Sequence, residues 1–234
     1  MKNNEFYKEL EKINIVLNDK QKEQLEIYYK YLIEYNSHTN VTAIIEKEEV
    51  YLKHFYDSLT LTTATNINEI NTMLDIGCGA GFPGLVLKIV FPHLNLTLLD
   101  SNNKKTTFCN NLVKKLHLEN VEIINKRAEE YIKEKREYYD LVTARAVKDL
   151  SILNELAIPY VKVNGLFIAM KSEIENELNN SLTGIETLGG YLIKTKTTKL
   201  PNERGIRSFV IIKKNTKTNL KYPRQYNQIL KKPL

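Results

Sequence analysis

The chain has 234 residues, 42% hydrophobic and 26% charged, enough to bury one sizeable core with a modest extension to spare. Its longest apolar runs, Leu166 to Met170 and Phe209 to Ile212, are far too short to cross a bilayer. The two cysteines exclude a disulfide framework, and "MKNNEFYKELEK" has no apolar signal core, so a cytoplasmic location is the default expectation. The net charge of +6 is concentrated at the end: residues 213–234 carry seven Lys/Arg and no Asp/Glu, leaving about −1 for the rest. That tail also holds Tyr222, Pro223 and Tyr226, a composition suited to a phosphate backbone and stacked bases.

In chain order, residues 1–65 read as a helical extension. Asn18 with Gln21 three residues on forms a capping-box pattern, and Leu25, Tyr28, Tyr29, Leu32 and Ile33 then share one face. After the polar "NSHTNVTAI" a second helix is expected over 47–63. From residue 72 strands and helices alternate. "TMLDI" is followed by a glycine turn and the helix "PGLVLKIVF". "NLTLLD" precedes a helix through Phe108, Leu112, Val113 and Leu116. "NVEII" and "YYDLVTA" are further strands. A helix over 150–162, the strand "GLFIAM" and a polar helix near 173–187 come next. "YLIKTKTTKL" and "RSFVIIKK" end the domain without a helix between them, so that pair is antiparallel. The fold class is α/β: a Rossmann-like sheet over 66–214, parallel with an antiparallel last strand, behind a helical amino-terminal region and ahead of a basic tail at 215–234.

"MLDIGCGAGFPG" (73–84) places the glycine turn where such sheets bind ligands, at the carboxyl end of the first strand. Gly77, Gly79 and Gly81 allow close backbone approach, and the next helix offers free N–H groups. Asp100 ends the second strand 19 residues after Gly81, in position for a ribose diol. Gly79, Gly81 and Gly84 formally fit the dinucleotide pattern G-x-G-x-x-G, but Pro83 stands inside the match. Asp75 before Gly77 makes the stretch D-x-G-x-G-x-G, which resembles the S-adenosylmethionine site of Rossmann-like methyltransferases. There an acidic side chain could meet the cofactor's ammonium.

Taken together, "NVTAI" (40–44), "HFYDSL" (54–59), "DIGCGAGFPG" (75–84), "LLDSNNKK" (98–105), "RAEE" (127–130), "YDLVTARAV" (139–147), "GLFIAMKS" (165–172), "RSFVIIKK" (207–214) and "YPR" (222–224) resemble the glucose-inhibited division protein B family. Its members are small-subunit ribosomal RNA guanine-N7 methyltransferases. "GAGFPG" and "VTARAV" are the specific stretches; "AMKS" departs from the family where glycine is expected after Lys171. The resemblance implies S-adenosylmethionine as cofactor, with contacts at Gly77, Phe82, Ala128, Glu129 and Arg145, beside Gly79 and Asp100 from the glycine-loop reading. It also implies small-subunit ribosomal RNA or the ribosomal subunit as partner.

Guanine N7 carries a lone pair and no proton, so transfer to it needs alignment rather than a general base, and Arg145 is expected to position rather than to abstract. Cys78 and Cys109 read as packing residues. His38, His54, His93 and His117 are scattered without a second ligand at helical spacing, so no metal is expected. His54 and Asp57, at i and i+3, are candidates for the pocket lining. RNA contacts are expected from Lys104, Lys105, Arg204 and Arg207 and from Lys221 and Arg224 in the tail. Removal of 215–234 is expected to weaken RNA binding and spare the cofactor. The chain is expected to act as a monomer. A methyltransferase of another nucleic acid or of a small molecule, and a non-catalytic nucleoside-binding module, are the alternatives.

Overall fold

The computed structural model describes residues 1–145, 148–172 and 174–234. Its amino-terminal region begins with α1 (Asn3–Glu11) and α2 (Asp19–Asn36). α2 starts where the capping box predicts: Gln21 N–H donates to the Asn18 side chain, and Asn18 N–H donates to the Gln21 side chain. The run over 47–63 is not the single α-helix expected. α3 (Lys47–Val50) opens into a π-helical turn at Tyr51–Tyr56, tightens to α4 (Asp57–Leu59) and ends in a 3-10 turn at Thr60–Thr63. Tyr51, Leu52, His54, Phe55 and Tyr56 are all buried, more than one face of an α-helix can bury, and the wider turn accommodates them.

The sheet region comprises β1 (Thr72–Ile76), α5 (Gly84–Val90), β2 (Asn95–Leu99), α6 (Asn103–Lys115), β3 (Val121–Ile124), α7 (Ala128–Lys135), β4 (Tyr139–Arg145) and α8 (Leu150–Ala157). It continues with β5 (Val161–Lys171), α9 (Glu175–Asn179), α10 (Leu182–Thr187), β6 (Gly190–Lys199), β7 (Ile206–Lys214) and α11 (Tyr226–Lys231). The strand order is β3-β2-β1-β4-β5-β7-β6. The first five strands pair in parallel, and β7 runs antiparallel to both β5 and β6. Two helix expectations are corrected. α8 stops at Ala157 because Pro159 cannot continue it, and a 3-10 turn leads directly into β5. The polar helix near 173–187 is two short helices, its first position, Glu173, lying outside the described residues.

Alternation along the strands sorts the core into two faces. Met73 and Leu141 pack with α1, α2 and the 47–63 run, whereas Leu74, Ile76, Val142 and Ala144 pack with α7 and α8. Period two therefore sends Asp75, Thr143 and Arg145 toward the amino-terminal helices. The order reverses between β1 and β4, and the crevice above that point is where the glycine turn emerges.

Candidate active site

The turn after β1 is held from below. Asp75 is fully buried, and its Oδ2 accepts from Gly84 N–H at 2.8 Å. A Cβ on Gly84 would lie 2.6 Å from Leu98 and 2.9 Å from that carboxylate oxygen, so the approach requires glycine. Asp75 thus anchors the loop through Oδ2, while its Oδ1 is buried without a described partner and the residue lines neither of the cavities described below. Burial pushes its carboxyl up to about 7. The α5 N-terminus is likewise engaged internally, since Leu85 N–H donates to Gly81 O and Pro83 has no N–H. The open part of the turn is Gly77–Gly79. Gly79 adopts φ +57°, and a Cβ there would meet no described atom within 4 Å. Its N–H donates to Asp100 Oδ2 at 3.0 Å, which pins the β2 carboxylate to the loop. Tyr28 of α2 donates to Ala80 O from the other side.

Arg145, at the end of β4, reaches into the same crevice. Its Nη1 donates to Asp57 Oδ2 at 2.8 Å and to Lys53 O at 2.9 Å, and its Nη2 lies 3.2 Å from His54 Nδ1. Asp57 has no exposed surface and also accepts from Arg207 Nε at 2.6 Å and Nη2 at 2.7 Å. One buried carboxylate therefore fixes two guanidinium groups, Arg207 through two nitrogens and Arg145 through one. His54 stacks on Phe82 at 4.3 Å, and burial followed by the Arg145 charge pulls its pKa down to about 3. Tyr28 stacks on Phe82 at 5.2 Å with an interplanar angle of 2°. With His54 and Tyr28 stacked on it, Phe82 presents little more than its edge to the first cavity.

Two cavities meet here. The first, about 370 Å³, is lined by Thr42, His54, Gly77, Gly79, Phe82, Asp100, Lys105, Arg145 and Lys148, among others. The second, about 190 Å³, is lined by Gly77, Asp100, Ala128, Glu129, Lys148 and Tyr226, among others. They share Gly77, Asp100 and Lys148. The arrangement fits an elongated ligand with a nucleoside half toward Ala128 and Glu129, a ribose at Asp100 and an amino-acid half toward Arg145. All seven residues expected around a cofactor border one cavity or both. A third cavity, about 360 Å³, lies at the opposite end of the strands near Thr72 and Asn95, away from the loop. Among the described residues no cluster of His, Cys, Asp and Glu could hold a metal ion. Cys78 and Cys109 are buried with both thiols directed at Gly79 O, in keeping with a packing role.

Residues 21–206 match the GidB family, rRNA small subunit methyltransferase G. The chain belongs to this family. It is 48% identical over 233 residues to Ribosomal RNA small subunit methyltransferase G of Bacillus subtilis (strain 168), covering 98% of each chain. It is 46% identical over 229 residues to that of Staphylococcus carnosus (strain TM300), covering 96% of this chain and 95% of the relative. Among solved structures, M. jannaschii TYW2 in complex with AdoMet superposes with a TM-score of 0.57 at 16% identity, over 74% of this chain and 78% of that one. An SAM-dependent O-methyltransferase from Thermotoga maritima gives 0.55 at 15% identity, over 80% and 73%. Those two likenesses establish the Rossmann-like methyltransferase fold. The chain is an S-adenosylmethionine-dependent methyltransferase.

The basic residues of this GidB chain divide by environment. Lys104 and Lys221 are exposed, and Lys105 borders the first cavity. Arg204 is exposed and pairs with Glu49 at 3.2 Å. Arg207 is engaged by Asp57. Arg224 forms a fork with Glu155, which has no exposed surface, at 2.6 to 3.2 Å. Tyr222 and Ile229 are buried and Tyr226 lines the second cavity, so the tail is packed against the domain. Ala146 and Val147, which complete the "VTARAV" stretch, lie outside the described residues. The sequence reading missed Thr42 and Tyr226 as cavity residues. The polar loop and the tail aromatics that contain them carry no spacing signal.

Proposed function

We propose that this chain transfers the methyl group of S-adenosylmethionine to N7 of a guanine in small-subunit (16S) ribosomal RNA, acting as a single chain in the cytoplasm on the RNA or the ribosomal subunit. When bound, the cofactor supplies an electrophilic methyl on sulfur. Gly77 and Gly79 provide a backbone against which it packs, Asp100 accepts from the ribose hydroxyls, and Ala128 and Glu129 border the base end. Arg145, with the edge of Phe82, positions the amino-acid end or the target base.

The observation that carries the N7 reading is that the described residues of the first cavity offer no free base. Both His54 nitrogens are engaged and its pKa is about 3, Asp100 is pinned by Gly79 N–H, and the Cys78 thiol is buried and points at a carbonyl. An acceptor that must lose a proton, an exocyclic amine or a ribose hydroxyl, is poorly served there; a guanine N7 lone pair needs none removed. Lys104, Lys105, Arg204 and Lys221 supply charge for the phosphate backbone. Arg207 and Arg224, also expected at the RNA, act in this reading as braces. The division into 1–65, 66–214 and 215–234 is one of role, with the helical extension closing the site that the sheet builds.

The test is transfer of labelled methyl to small-subunit RNA or small subunits lacking the modification, followed by nucleoside analysis. Label in 7-methylguanosine is expected. Label in another nucleoside, or none, overturns the reading.

A further inference from the structure

Thr42 lines the first cavity together with the glycine loop, and its hydroxyl is held by two neighbours. Its backbone N–H and that of Val41 both donate to Asn36 Oδ1, at 3.1 and 2.8 Å, so the carboxyl end of α2 fixes the loop. Thr42 Oγ1 accepts from Ile44 N–H at 3.1 Å and lies 2.9 Å from His54 Nε2. The His54 tautomer follows from its other nitrogen. Nδ1 lies 3.2 Å from both Arg145 Nη2 and the Lys53 carbonyl, which also accepts from Arg145 Nη1; because Arg145 has donors only, the arrangement that keeps its hydrogen bond to the ring has Nδ1 accepting. The one ring proton is then on Nε2 and is donated to Thr42. Both acceptor positions of the hydroxyl are filled, so it can act only as a donor, and no described residue accepts from it.

A fixed donor on a cavity wall selects an acceptor. On guanine, O6 is an acceptor directly beside N7, whereas adenine presents an N6 amine, a second donor, at that place. We propose that Thr42 selects guanine by donating its hydroxyl to O6 of the target base. Arg207, Asp57, Arg145 and His54 form the chain of hydrogen bonds that sets the direction of its proton. The proposal rests on the N7 reading above.

The test compares wild type, Thr42→Val and Thr42→Ser on small-subunit RNA carrying guanine or 2-aminopurine, which lacks O6, at the target position. Valine keeps the shape and removes the donor; serine restores the donor. On guanine RNA, Thr42→Val is expected to lower kcat/KM about tenfold or more, and Thr42→Ser to stay within about threefold of wild type. S-adenosylmethionine affinity is measured alongside, and its loss in Thr42→Val but not in Thr42→Ser would place the donor on the cofactor and overturn the proposal. On 2-aminopurine RNA, wild type and Thr42→Val should perform alike. An unchanged Thr42→Val, additive losses from variant and base, or Thr42→Ser as impaired as Thr42→Val would each overturn the proposal. Nucleoside analysis with wild type comes first: a product other than 7-methylguanosine overturns the N7 reading and the proposal with it.

Discussion

Asp57 places one carboxylate, without any exposed surface, between the forks of Arg145 and Arg207. Removing its charge leaves two guanidinium groups facing each other with a neutral amide between them. Asp57→Asn is therefore expected to lower stability by about 3 kcal/mol or more and kcat by at least about tenfold, read by urea unfolding and methyl transfer. Wild-type values for both would contradict the role assigned to it. Asp75 and His54 make opposite contributions to pH dependence. Burial raises Asp75 from 3.8 to about 7, so the folded chain binds that proton more tightly than the unfolded one, and stability from this group falls as pH rises between those values. His54 is lowered from 6.5 to about 3, so its contribution rises over that interval. In Asp75→Asn only the His54 trend of the pair remains. Its stability should climb with pH between about 4 and 6.5 more steeply than wild type, by up to about 1.4 kcal/mol per pH unit. Parallel curves would refute the assignment. Glycine loop, Asp75 and Asp100 are legible in the sequence because one strand-turn-helix unit demands them at fixed offsets. The Asp57 cluster joins residues 88 and 150 positions apart, and no spacing announces it.

The alternating strands and helices from β1 onward follow from hydrophobic period and are legible, as is the antiparallel β6–β7 pair. The π-helical turn is not, because its apolar residues also suit an α-helix, and the number of them that end up buried depends on tertiary packing. The tail is the larger surprise. Its composition reads as a basic arm for a phosphate backbone, yet Tyr222 and Ile229 are buried and Tyr226 walls the second cavity. Deleting 215–234 strips Arg224 from the buried Glu155 and opens that wall. The expected result is a loss of about 3–5 kcal/mol and weaker S-adenosylmethionine binding, in contrast to the sparing of the cofactor that composition alone suggests. A truncated chain with wild-type melting temperature and cofactor affinity would contradict it.

Over the whole molecule, the helical region and the sheet build one site from two sides. The sheet contributes the glycine turn, Asp100, Glu129 and Arg145. The amino-terminal helices contribute Tyr28 under the loop, Asp57 behind Arg145, and His54 and Thr42 in the wall. What results is a cavity rich in fixed donors and without a free base among its described residues, suited to aligning a lone pair. The most direct measurement is methyl transfer to small-subunit RNA transcribed with 7-deazaguanosine, which replaces the N7 lone pair by C–H. The account predicts no incorporation into that RNA while it still competes for binding with the guanine-containing RNA. Incorporation at the rate seen with guanine would contradict it.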